Sequence, residues 1–145
     1  MVIPELTVEA LNKIGTGKLP AYMGIVFTRA ERAEIGAEIV VNDHHMAPNG
    51  YLHAGTVVTL ADTCAGYGCR VNLPAGATGF TTIELKSNFL GTAREGTIVA
   101  SAKAVHLGRT TQVWDAIVAH KESGRTIAMF RCTQMILYST QRSSP

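Results

Sequence analysis

The residues best suited to chemistry fall in one run, Asn49-Gly50-Tyr51-Leu52-His53-Ala54-Gly55-Thr56-Val57-Val58-Thr59-Leu60-Ala61-Asp62. A glycine-containing turn there leads directly into a helix start, so the first amides after His53 have no intrahelical partner. Free amides at the positive end of a helix suit a developing oxyanion. Asp62 follows two turns further along. From His44 to Ile83 an even spread of the 17% charged content would place six or seven charges, yet only Asp62 and Arg70 occur. A carboxylate in an apolar setting is costly unless paired, and such groups concentrate at functional sites. Asp62 is therefore a candidate for catalysis.

The element that must position these residues is a single helix of about five turns, starting near His53 or Ala54 and ending before Asn72. On it Gly55, Thr59, Asp62, Gly66 and Cys69 recur at spacings of four and three and line one face of small residues, which something must approach closely. Val57, Leu60, Ala61, Cys64 and Val71 form the core-facing stripe. Upstream, Val8, Leu11 and Ile14 with Thr7 as cap predict a short amphipathic helix before Gly15, within residues 1–20. Residues 23–41 read as a hairpin turning near Glu31 and Arg32. Lys18 after Gly17 suggests a phosphate loop, but Asn12 stands where the first glycine is required.

Downstream the period changes to two. Four runs, Gly79 to Phe89, Gly96 to Leu107, Thr110 to His120 and Thr126 to Leu137, are separated by turn residues and predict an antiparallel four-strand meander. The polar end from Ser139 to Pro145 reads as a frayed tail. The whole predicts an α+β fold in one domain over residues 1–145, with an antiparallel sheet of five to six strands wrapped around one long central helix. Exposed edge strands invite pairing with a second copy, so a dimer is expected.

Composition narrows the class. A chain of 145 residues with 46% apolar residues and a net charge of +2 is long enough for its own core, is not a disordered tail, and lacks the basic excess of a nucleic-acid binder. The start MVIPELTVEA has no secretory pattern, and an intracellular, cytoplasmic location is expected. Pro48, Asn49, Gly50, His53 and Asp62 exclude a membrane span across the low-charge stretch. Cys64, Cys69 and Cys132 match no zinc or redox spacing and read as buried thiols.

The segment Ala47-Pro48-Asn49-Gly50-Tyr51-Leu52-His53-Ala54-Gly55, with Asp62 nine residues after His53, resembles the hotdog-fold thioesterases, in particular the PaaI-like acyl-CoA thioesterases. Their pattern is roughly N-P-x-G-x-x-H-G-G followed by a helix with an acidic residue at that distance. The runs from Gly79 to Leu90, H-L-G-R-T-T-Q-V and R-T-I-A-M-F-R-C-T are similar to the family as well. The resemblance implies hydrolysis of an acyl-CoA thioester to a free acid and coenzyme A. It implies an active site between two subunits of a homodimer or homotetramer, with Asp62 as nucleophile or general base and the amide of Ala54 or Gly55 of the neighbouring chain as oxyanion donor. It assigns Thr81 to a hydroxyl position that helps place the attacking water or the carboxylate. No metal or cofactor is implied beyond coenzyme A as part of the substrate. Two positions depart from the pattern: Ala47 stands where the family has asparagine or glutamine, with Asn49 as a substitute donor, and Ala54 stands for the first glycine after His53.

Each residue also has a plainer reading. Asp62 could be a buried polar group satisfied locally, Thr81 an ordinary strand residue, and His53 a helix-start residue. His44, His45 and His53 lack a completing metal ligand. Arg109, Lys86 and Arg94 are candidates for the coenzyme A phosphates, or surface charges. The competing functions are a non-catalytic acyl-CoA binding protein, and a thioester hydratase or dehydratase on the same fold, whose usual histidine near a Pro-Gly-Val turn is absent.

Overall fold

A computed structural model describes residues 5–140. The first four residues and the last five of the expected polar tail lie outside it.

Helix α1 (Val8–Ile14) is opened by Thr7, whose hydroxyl accepts the Ala10 amide hydrogen at 3.1 Å, as a threonine N-cap does. A four-residue helix not anticipated from the sequence, α2 (Leu19–Tyr22), follows with Pro20 in its first turn. The expected hairpin is β1 (Val26–Glu31) with β2 (Glu34–Val40), turning at Arg32 and Ala33.

Helix α3 (Ala54–Val71) has the predicted bounds, with His53 as N-cap. Its apolar stripe, Val57, Leu60, Ala61, Cys64 and Val71, is buried in the core. Contact is closest at Gly68, where an added methyl would lie 2.6 Å from the Trp114 ring. Trp114 is fully buried, its indole N–H donating to Gln112 Oε1 at 3.0 Å, while the Gln112 amide donates to the Asn72 carbonyl at 2.8 Å.

The remaining strands are β3 (Ala77–Phe89), β4 (Thr97–Leu107), β5 (Thr111–His120) and β6 (Thr126–Tyr138). The six strands form one antiparallel sheet in the order β1-β2-β4-β5-β6-β3, wrapped around α3. This is the hotdog arrangement expected from the sequence.

The predicted meander requires correction. Strand β3 does not pair with β4; it pairs with β6, Leu85 opposite Cys132 and Phe89 opposite Ala128, while β4 lies between β2 and β5. The short turns after β4 and β5 force hairpins. Residues 90–96 are long enough to cross the sheet end instead, anchored by the Leu90 and Gly91 amides on the Ile127 carbonyl. The crossing leaves β3 at an edge, bearing exposed Ile83, Leu85 and Phe89.

Candidate active site

The loop before α3 is shaped by its own backbone. Gly50 has φ +82°, a left-handed conformation that disfavours side chains, and its amide bonds the Ala47 carbonyl at 2.9 Å. Asn49, the expected substitute donor, accepts the Tyr51 amide hydrogen on its Oδ1 at 3.1 Å, which leaves its Nδ2 hydrogens without an acceptor among the described residues. It is a turn former in this chain.

His53 has a defined structural task. Its Nδ1 accepts the Gly55 amide hydrogen at 2.7 Å, so the neutral ring carries its proton on Nε2. This occupies one of the two candidate oxyanion donors. The Gly55 amide is turned onto the cap, whereas the Ala54 amide meets no acceptor among the described residues and sits at an exposed position. Thr59 is also engaged, its hydroxyl donating to the Gly55 carbonyl at 2.7 Å.

Asp62 stands alone on the small-residue face. Its Oδ1 is out of contact with solvent and has no hydrogen-bond partner, and burial raises the carboxyl above its ordinary pKa. The nearby sheet belongs to β6, where the Cys132 thiol, pushed up to about 12 chiefly by burial, also feels the Asp62 charge. One turn along α3, a methyl added at Gly66 would lie 3.5 Å from the Phe80 ring of β3. Small residues of α3 thus face the inner side of β3.

That register settles which β3 side chains share the site. Thr81 is opposite exposed Met135, whereas Phe80 and Thr82 are opposite buried Ile136 and Gln134. Thr81 therefore lies on the outer face, away from Asp62, and the expected role is corrected by the alternation of the strand. Thr82 is the inward hydroxyl, donating to Gln134 Oε1 at 2.8 Å. An ambiguity of one residue in aligning a strand exchanges its faces, so the sequence alone could not separate the two.

The three basic candidates are dispersed. Lys86, opposite exposed Arg131, is on the outer face. Arg109 lies in the β4–β5 turn, its carbonyl accepting the Tyr138 hydroxyl at the opposite end of the molecule from the start of α3. Arg94 belongs to the loop beside that helix start, with its guanidinium 4.5 Å from the centre of the Tyr51 ring, and Thr92 in the same loop accepts the Leu52 amide hydrogen. Two surface cavities of about 260 and 340 Å³ are lined by residues that do not include Asp62.

His45 spends both ring nitrogens on backbone, accepting from Asn42 N–H at 2.9 Å and donating to the Met23 carbonyl at 2.8 Å. It is not available as a metal ligand in this arrangement. Among the described residues, no group of three His, Cys, Asp or Glu side chains is placed to hold a metal ion.

Asp62 offers a carboxylate and Ala54 an amide hydrogen with no acceptor among the described residues, but not at one point. Eight residues of helix separate them by about 12 Å along the axis, while a reacting carbonyl must lie near 3 Å from each.

Residues 49–128, from the turn through the start of β6, match the family described as the Thioesterase superfamily. A 1,4-dihydroxy-2-naphthoyl-CoA hydrolase of Escherichia coli (strain K12) is 33% identical over 136 residues, covering 92% of this chain and 96% of the relative. The proofreading thioesterase EntH of Klebsiella pneumoniae is 31% identical over 133 residues, with coverage of 92% and 96%. A solved thioesterase structure from Haemophilus influenzae superposes with a TM-score of 0.87 at 25% identity, covering 98% of both chains.

Proposed function

Since the chain belongs to the thioesterase superfamily and is a thioester hydrolase, we propose that its substrate is an aromatic acyl-coenzyme A ester, cleaved at a site built by two copies of the chain. The observation that carries this reading is Asp62, a desolvated carboxylate with one oxygen unpartnered on a helix face of small residues.

Asp62 can act in either of two ways. As general base it takes a proton from water, and the water oxygen adds to the thioester carbon while the carbonyl π pair moves onto oxygen. Collapse of that oxyanion expels the coenzyme A thiolate, which recovers the proton from Asp62. As nucleophile the carboxylate oxygen itself adds, the thiolate leaves, and water cleaves the resulting anhydride. Single-turnover hydrolysis in oxygen-18 water separates them, because label enters the Asp62 carboxylate only by the anhydride route.

Both routes need a donor where negative charge develops, worth roughly 3 kcal/mol in related chemistry. The Ala54 amide fits that role because His53 already holds the Gly55 amide. The separation of about 12 Å within one chain means that a carbonyl at Asp62 takes its donor from the neighbouring copy. The exposed edge strand β3, paired on one side only, with β6, supports pairing of two copies. A homodimer, or a homotetramer made from two of them, is the assembly in this reading.

Arg94, beside the start of α3, suits a coenzyme A phosphate; Arg109 lies toward the other end of α3, and Lys86 is on the outer face of β3. The naphthoyl group in the Escherichia coli relative's name supports an aromatic acyl group, and Phe80 and Phe89 on the inner face of β3 suit one. The reading requires no metal or added cofactor, and we place the reaction in the cytoplasm. Thiol release from an acyl-CoA panel, with Asp62→Ala as control, tests it; unchanged turnover by that variant would eliminate the assigned role.

A further inference from the structure

Besides Asp62 Oδ1, two buried side-chain atoms among the described residues lack a hydrogen-bond partner, Arg70 Nε and Ser87 Oγ. Ser87 is opposite Phe130 on β6, and its same-face neighbours Leu85 and Phe89 are opposite Cys132 and Ala128. All three partners are buried, so Leu85, Ser87 and Phe89 share the face that wraps α3. The Cys132 thiol is also the one influenced by the Asp62 charge, which ties this stretch of sheet to the carboxylate.

Leu85 and Phe89 are 42% and 47% exposed although they face inward. They belong to an edge strand whose inner face meets α3 at Gly66, where an added methyl would lie 3.5 Å from the Phe80 ring. With the thioester carbonyl at Asp62, this strip is the adjoining apolar wall for the acyl group. Ser87 is the polar side chain between Leu85 and Phe89. A hydroxyl withdrawn from water with no acceptor or donor opposite it is unfavourable unless a guest satisfies it.

We propose that Ser87 is a specificity-determining residue of the acyl groove, hydrogen-bonding a hydroxyl substituent on the acyl group. The proposal rests on the Asp62 reading above. A site built to pair with a substrate hydroxyl discriminates strongly against the analogue without it, because binding that analogue leaves the protein group unpaired. The enzyme is thereby tuned to hydroxylated aryl thioesters over their unsubstituted counterparts.

The test compares benzoyl-CoA with its 2-, 3- and 4-hydroxy derivatives by kcat/KM. Wild-type protein should prefer at least one hydroxybenzoyl isomer by about tenfold or more. Ser87→Ala should bring that ratio close to one, Ser87→Thr should retain a preference through its hydroxyl, and Asn88→Ala, on the opposite face of β3, should leave the ratio intact. Melting temperatures confirm that the variants are folded. A wild-type ratio near one, or a preference that survives Ser87→Ala, overturns the assignment. Asp62→Asn is assayed in parallel. If it silences every ester while Ser87→Ala leaves the ratio unchanged, only the Ser87 assignment fails; if it leaves turnover intact, the catalytic reading fails as well.

Discussion

The two flanks of α3 make opposite uses of small residues. Toward β5, Gly68 lets the helix settle onto the Trp114 ring, and the flank is closed by buried Leu60, Ala61 and Cys64. Toward β3, Gly66 meets Phe80 at ordinary contact distance, and the same face carries an unpartnered carboxylate oxygen beside an exposed edge strand. Glycine serves packing on the first flank and leaves room on the second. The filled flank serves stability and the open one, in the reading proposed above, serves function, so substitutions on the two flanks should have opposite effects.

The largest effect is expected on the open flank. Asp62→Asn should lower kcat about 10³-fold, within the range for losing a positioned base, as measured by thiol release. It should also raise the melting temperature at neutral pH. Burial raises the native pKa of Asp62 above its unfolded value, so its favourable contribution to stability is complete below the unfolded pKa and is lost as pH rises through the native one. The stability gap between variant and wild type should therefore widen from acid to neutral pH. For the same reason the acid limb of kcat/KM should lie above the ordinary carboxylate range. A variant that is less stable than wild type at neutral pH would contradict this account of the carboxylate.

Next comes the pair of glycines. Gly68→Ala places a methyl 2.6 Å from the Trp114 ring and should destabilise by about 1–3 kcal/mol in denaturant titration. Gly66→Ala adds a methyl at 3.5 Å from Phe80 and should stabilise by about 0.5–1 kcal/mol through helix propensity, while lowering kcat/KM by crowding the acyl groove. Loss of stability in both would erase the contrast.

The smallest effect is expected outside either flank. Arg131 donates to Asp115 Oδ2 at 2.8 Å on the outer face, and both side chains are partly open to water. Arg131→Ala should change stability by less than about 1 kcal/mol and leave turnover as it was, whereas a larger loss would show that the outer face bears more of the fold than its exposure suggests.

Local devices were legible in the sequence. Thr7 as cap, the bounds of α3 and the isolation of Asp62 follow from spacing and capping chemistry, which act within a few residues. The place of β3 did not follow, because residues 90–96 permit either a hairpin or a crossing, and only the competition among whole strands decides between them. The Thr81 assignment failed for a related reason: a register displaced by one residue reverses the faces of a strand, and its partner on β6 is more than fifty residues away. Gly55 is a plausible donor by position, yet a local hydrogen bond to His53 engages its amide. Ser87 carried no pattern in the sequence; its distinction is a hydroxyl without a partner.

The central claim is that Asp62 of one copy and the Ala54 amide of another serve the same carbonyl. Ala54→Pro removes that amide at the first helical position, where proline is tolerated, and His53 already has the extended backbone that a following proline requires. Alone, Ala54→Pro and Asp62→Asn should each be nearly inactive as folded assemblies. Unfolded together in equal amounts and refolded, they should recover about one quarter of wild-type activity, because half the dimers are mixed and one of the two sites in each is intact. Recovery near that fraction is the predicted result, and a mixture no more active than its separate components would contradict the shared site.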